Sequence, residues 1–241
     1  MKITRVSCQL IPPRWSLVRI ETDEGIVGYG EPTLEGHART AITCVEENAP
    51  LLIGEDPRRI EHLWQVLYRG AFYRGGPLLT SALSGIEQAL WDIVGKYHGV
   101  PVYELLGGPC RDRIRMYRGV GGATPEAAAA AALAAKEQGF DCLKTGAADG
   151  ACRLIDTPRI VDDAVARIAA MREAVGRDFD IAIDCHGRFS PAMALRFCDA
   201  VADLTPMFVE EPVLPENVDA LAALTRKARV PIATGERLYT K

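Results

Sequence analysis

No C-x-x-C pair occurs among the seven cysteines, Cys8, Cys44, Cys110, Cys142, Cys152, Cys185 and Cys198, and their number is odd. Scattered singles of this kind argue against a disulfide framework or a zinc site and read as small buried hydrophobes of a reducing compartment. No apolar run reaches the roughly 18–20 residues that span a bilayer. The opening Met1-Lys2-Ile3-Thr4 leads straight into a strand pattern, without a secretory n-region and h-region, so a cytoplasmic location is expected. A surplus of positive charge is missing too. With a net charge of −4 there is no reason to expect nucleic acid or an anionic membrane as partner. Low-complexity tails are absent, and the only repeat is a β/α period. What remains is 48% hydrophobic and 25% charged, the balance of a globular protein, and 241 residues allow one large domain or two ordinary ones.

Three short apolar runs in the last quarter each end in a carboxylate. They are Asp180-Ile181-Ala182-Ile183-Asp184, Met207-Phe208-Val209-Glu210 and Val230-Pro231-Ile232-Ala233-Thr234-Gly235-Glu236. The acids at 184, 210 and 236 are spaced by 26 residues, which suits one strand, a crossover helix and two loops. Strands of a parallel barrel all point one way, so equivalent strand ends converge on one face. Three carboxylates gathered there would repel, and such a cluster persists most easily around a cation. All-oxygen ligation favours Mg²⁺, with Mn²⁺ second. The alternative is three unrelated acids at strand ends.

The rest of the chain supplies the context. Ile3 to Leu10, Leu17 to Glu21 and Ile26 to Gly30 alternate as an antiparallel meander, with the turn Asp23-Glu24-Gly25 before the third strand. Pro12-Pro13-Arg14-Trp15 joins the first two as a stiff loop, either a surface connection or a ligand contact. Helical patterns run from about Ala38 to Leu52, Ile60 to Tyr68 and Ser81 to Tyr97, the last with Leu83, Ile86, Leu90 and Val94 on one face. Phe72-Tyr73-Arg74-Gly75-Gly76-Pro77 is a helix connection or a lid. Leu105-Leu106-Gly107-Gly108-Pro109 marks a boundary, giving an α+β domain over 1–112 and a β/α domain over 113–241.

In the second domain strands are expected at Ile114–Tyr117, Phe140–Lys144, Phe179–Asp184, Phe208–Glu210 and Pro231–Thr234. Helices fall between them at 125–138, 157–175, Pro191–Ala202 and 217–227. This strict alternation predicts an α/β class protein, an N-terminal α+β capping domain followed by an incomplete TIM-type barrel of about five strands. An eight-stranded barrel needs about 250 residues by itself, so a truncated chain is expected, or one whose sheet a partner closes.

His186 follows Asp184 by two residues, and an i, i+2 pair on a strand shares a face. It could be a metal ligand, a general acid or base, or a satisfied core group. Beside this carboxylate, catalysis or substrate contact is the favoured reading. Lys144 lies one strand earlier, where its charge could meet an anionic substrate or simply be solvated.

Several strings carry a resemblance over the whole chain. They include Gly30-Glu31-Pro32, Phe72-Tyr73-Arg74-Gly75-Gly76-Pro77, Gln88-Ala89-Leu90-Trp91-Asp92-Ile93, Asp184-Cys185-His186-Gly187-Arg188, Glu210-Glu211-Pro212-Val213-Leu214 and Gly235-Glu236-Arg237. With these, the chain resembles the enolase superfamily, in its mandelate-racemase-like branch and among its acid-sugar dehydratases. The resemblance implies that Asp184, Glu210 and Glu236 hold Mg²⁺ and that an aldonate is the substrate. Galactonate comes first, with gluconate, arabinonate and mannonate as alternatives. It implies that His186 expels the 3-hydroxyl as an acid after α-proton removal, and it suggests Lys144 and Arg188 as substrate contacts. Racemases and cycloisomerases of this branch carry Lys-x-Lys on the second strand. Lys144-Thr145-Gly146 lacks the second lysine, which disfavours those activities. In relatives the base is a histidine of a later strand, beyond residue 241, and His37, His62 and His98 do not match it. The chain alone is therefore expected to show no appreciable turnover, an inactive fragment being the alternative to an enzyme, and the full-length protein is expected to be a homo-oligomer.

Overall fold

The computed structural model describes residues 1–147, 152 and 154–239, so residues 240 and 241, the end of the expected barrel domain, lie outside it. The chain divides into two units, Met1–Asp112, with which Tyr239 is grouped, and Arg113–Leu238.

In the first unit β1 (Ile3–Ile11), β2 (Trp15–Thr22) and β3 (Val27–Gly30) form an antiparallel sheet in sequence order. Alternation along β2 buries Ser16, Val18, Ile20 and Thr22 on one face. Helices α1 (Ala38–Asn48), α2 (Ile60–Arg69), α3 (Gly76–His98) and α4 (Val102–Leu105) follow. The first helix ends before the expected Leu52, passing into a 3₁₀ turn at Ala49–Leu51 with Pro50 inside it. The third begins at Gly76, five residues earlier than expected, because Pro77 sits in its first turn, where a missing N–H costs nothing. Gly76 and Pro77 therefore belong to a helix, while Phe72 and Tyr73 before them are exposed. Leu83, Ile86 and Leu90 are buried as expected, but Ile93 rather than Val94 continues the stripe. The loop residue Arg14 stacks over Trp15 and pairs with Glu35 at 2.7 Å, an exposed surface arrangement.

Helix α3 lies directly on the backbone of β3. A Cβ on Gly28 would stand 2.1 Å from the Ala89 carbonyl oxygen, and one on Gly30 would stand 1.9 Å from that of Gly85. Backbone atoms cannot swing away as a side-chain tip can, so these glycines set the helix-to-sheet distance.

The second unit is a parallel five-stranded sheet in the order β4 (Arg118–Val120), β5 (Cys142–Gly146), β6 (Asp180–Asp184), β7 (Phe208–Glu210) and β8 (Ile232–Ala233). Helices α5 (Pro125–Glu137), α6 (Pro158–Val175), α7 (Pro191–Val201) and α8 (Val218–Lys227) lie between successive strands. Strictly sequential strand order is that of a β/α barrel segment. A doubly wound sheet would reverse its order at a switch point. Three of the helices start with a hydroxyl cap followed by proline: Thr124-Pro125, Thr157-Pro158 and Ser190-Pro191. Asn217 caps the fourth. Each cap contributes about 1 kcal/mol and fixes where the chain leaves the strand-end loop. The core is the α6 stripe Val161, Ala164, Ile168, Met171 and Val175 against Leu143, Ile181, Ile183, Val209 and Phe197.

Two strands are displaced from expectation: β5 runs Cys142–Gly146 instead of Phe140–Lys144, and the strand before it starts later. Ile114–Tyr117 is not a strand; pairing begins at Arg118, opposite Leu143. The apolar residues Ile114 and Met116 are exposed, and Arg115 instead ties the loop to Asp141 (3.0 Å) and Asp180 (2.6 Å). Arg172 was also unforeseen. It is buried and donates to the carbonyls of Leu204, Gly176, Phe179 and Thr205, closing the end of α6 against the loop before β7.

Gly30→Ala should destabilise the first unit by about 3 kcal/mol, the upper range for forcing atoms into a packed interior. All three tryptophans, Trp15, Trp64 and Trp91, lie in that unit, so urea unfolding followed by their fluorescence reads it directly. An unchanged midpoint would remove the close-packing argument.

Candidate active site

Parallel register aligns Gly146 with Asp184, Asp184 with Glu210, and Glu210 with Ala233. Along β6, Ile181 and Ile183 enter the helix-covered core, so Ala182 and Asp184 face the opposite side. Glu210 is the register partner of Asp184 and shares that side. Lys144 is the partner of Ala182, one pleat below, and its long side chain reaches up to both acids. Its Nζ lies 2.7 Å from Asp184 Oδ2 and 2.6 Å from Glu210 Oε2. Burial alone would lower the lysine pKa. The two carboxylates outweigh it and hold the group above its ordinary value. Lys144 is thus neither at the strand end nor freely solvated. It is a charge clamp between two acids.

His186 meets Asp184 by a different route from the one the pleat suggests. The strand ends at Asp184, and His186 has φ 51°, in the left-handed region. Its N–H donates to Asp184 Oδ1 at 3.1 Å, an aspartate turn, and its Nε2 lies 3.3 Å from Asp184 Oδ2. The ring is 57% exposed, whereas Asp184 is 7% exposed, so one edge is anchored and the other is open to solvent. Glu236 lies three residues past the last residue of β8, in a turn rather than on the strand. Its carboxyl is raised above the usual glutamate value, first by desolvation, then by Glu211, with Asp184 and Glu210 adding to it. Arg188 is exposed and does not join the cluster.

Two residues that sequence reasoning passed over complete the arrangement. Glu211 is fully buried, with φ 40°, and its Oε2 accepts from Arg237 Nε at 2.8 Å and from Arg237 Nη2. A left-handed conformation costs a non-glycine residue about 1–2 kcal/mol, so His186 and Glu211 hold positions that the surrounding hydrogen bonds impose. The signal was present in Glu210-Glu211 and Glu236-Arg237: the second members of the two doublets are separated by the same 26 residues as the first.

Oxygen or nitrogen atoms of Asp184, His186 and Glu236 lie within 4.8 Å of one another. Glu210 is not part of this tight set; Lys144 pairs with it and with Asp184 alike. Glu236 is crowded against Glu211, whose Oε1 is buried without a hydrogen-bond partner. The carboxylate oxygens of Asp184 and Glu236, with Glu210 in register beside Asp184, are a donor set that fits a hard divalent cation such as Mg²⁺. No helix among the described residues is long and apolar enough to cross a membrane.

Comparison with known proteins agrees with this architecture. Residues 6–107 match the mandelate racemase / muconate lactonizing enzyme N-terminal domain, and residues 126–241 match the enolase C-terminal domain-like family. A D-galactonate dehydratase of Ralstonia nicotianae is 51% identical over all 241 residues, and the chain spans 63% of that protein's length. A member of the enolase superfamily from Salmonella Typhimurium superposes with a TM-score of 0.93 at 33% identity, over 99% of this chain and 68% of the other. An enolase from Pantoea ananatis, solved with bound D-gluconate and Mg, superposes at 0.90 and 32% identity, over 99% and 66%. Sequence and fold together place the chain in the mandelate racemase / muconate lactonizing enzyme family of the enolase superfamily.

Proposed function

We propose that the chain carries the metal and acid half of an acid-sugar dehydratase, converting D-galactonate to 2-keto-3-deoxy-D-galactonate. The observation that carries this is the convergence of Asp184, His186 and Glu236 at the carboxyl ends of parallel strands, with Glu210 in register beside Asp184. Asp184, Glu210 and Glu236 would hold Mg²⁺. When bound, the ion supplies positive charge where the substrate carboxylate gains negative charge as the α-proton leaves. The Lys144 ammonium, pointing to the same side, contributes a second positive charge for an anionic substrate. His186 donates a proton to the departing 3-hydroxyl, which leaves as water, and the enol product tautomerises to the keto acid. The imidazole suits this role because Asp184 anchors one edge while the other is open. None of these residues is assigned the α-proton base. The gluconate bound to the Pantoea ananatis protein favours gluconate as the second candidate substrate.

A panel of aldonates offered to the full-length protein with Mg²⁺, scored by 2-keto acid formation, should give D-galactonate the highest kcat/KM. A higher value for gluconate would shift the assignment to the second reading.

Metal binding can be read without turnover. Mg²⁺ at about 100 times its Kd should add about 2.7 kcal/mol of stability and raise Tm. Asp184→Asn or Glu236→Gln should remove most of that rise. A full rise in both variants would move the ion elsewhere.

His186→Asn should lower dehydration by about 10²–10⁴-fold, the usual cost of losing a general acid. Deuterium should still enter recovered galactonate at C2 in D₂O. Loss of exchange together with dehydration, metal and substrate remaining bound, would make His186 the base.

A further inference from the structure

We propose that the Glu211–Arg237 ion pair is a positioning device that sets Glu236 and the His186-Gly187 turn, by locking together the loops after β6, β7 and β8. The proposal rests on the reading of Asp184, Glu210 and Glu236 as metal ligands. Each partner directly follows one of those ligands: Glu211 follows Glu210, and Arg237 follows Glu236. Displacing either side chain therefore turns the backbone that carries a ligand.

Glu211 is held on both sides. Its N–H donates to the Ala233 carbonyl at 2.9 Å, and its own carbonyl accepts from Gly187 N–H at 2.7 Å. Its side chain is wholly buried, so the carboxylate has no solvent to share its charge with. Arg237 answers with two N–H groups on one oxygen, Oε2, a fixed geometry that a single ammonium could not reproduce. The same guanidinium presses against Gly187, where an added Cβ would come within 2.5 Å of Nη2. Gly187 also needs its positive φ of 65°, so no other residue fits the contact without strain. Through this one cation, the residue after His186, the residue after Glu210 and the residue after Glu236 are in mutual contact.

The alternative is that the pair only packs the interior or only balances charge, and the double variant Glu211→Met with Arg237→Met separates these roles. It keeps the formal charge and the approximate volume, and replacing a buried ion pair by apolar residues is often neutral or stabilising for folding. Mn²⁺ serves as the probe, its free fraction read by electron paramagnetic resonance alongside Tm in the ion-free protein. Positioning predicts Tm unchanged or higher while Mn²⁺ affinity falls about 10–100-fold, the usual effect of losing the groups that orient metal ligands. It also predicts a broadened spectrum for the bound ion. Affinity unchanged in the double variant, with Asp184→Asn still abolishing binding, overturns the positioning role and leaves the metal reading intact. If the unsubstituted protein shows no Asp184-dependent Mn²⁺ binding, both fall. Should the double variant not fold, Arg237→Lys keeps the charge and loses the second donor. A several-fold loss of affinity at equal Tm then supports the proposal, and unchanged affinity overturns it.

Discussion

Like charge gathered at one end of a parallel sheet is the constraint on which the candidate site depends. Parallel register leaves Asp184 and Glu210 side by side on one face, with Glu211 and Glu236 close behind. Two cations answer from within the chain, Lys144 between the first pair and Arg237 on Glu211. Each sits where the fold sends it: Lys144 one pleat below its acids, Arg237 in the turn beyond β8. The left-handed residues His186 and Glu211 belong to the same constraint, because the loops must fold back over the strand ends to bring these groups together.

The supporting structure is built from local rules. Hydroxyl-proline caps start α5, α6 and α7, and a buried stripe on α6 covers Ile181 and Ile183. With that face of β6 given to the core, Asp184 has only the other side to occupy. Arg172 closes the opposite end of α6, and Arg115 ties the loop before β4 to Asp141 and Asp180. In the first unit the same economy appears without charge: glycines of β3 let α3 rest on bare backbone.

Much of the fold was legible because period and spacing are local. The alternation of strand and helix after Arg113, the 26-residue spacing and the antiparallel meander all appear as patterns in short windows. Misreadings came where pairing decides. Ile114–Tyr117 has the apolar character of a strand but no partner, since β5 begins its ladder with β4 opposite Leu143. Gly76-Pro77 looks like a loop but opens a helix, because a proline in the first turn gives up no hydrogen bond. His186 meets Asp184 through a turn hydrogen bond, although the sequence suggested a strand pleat.

Residue order by itself determined the β/α alternation, the helix caps, and the placing of an acid at or just beyond three successive strands, since each depends on neighbours within a few positions. Tertiary structure alone decided that Lys144 bridges two acids, that Glu210 stands apart from the tight Asp184–His186–Glu236 set, and that Glu211 and Arg237 close on each other. Those contacts join residues 26 to 66 positions apart, and only strand register and the loops above it bring their atoms within bonding distance.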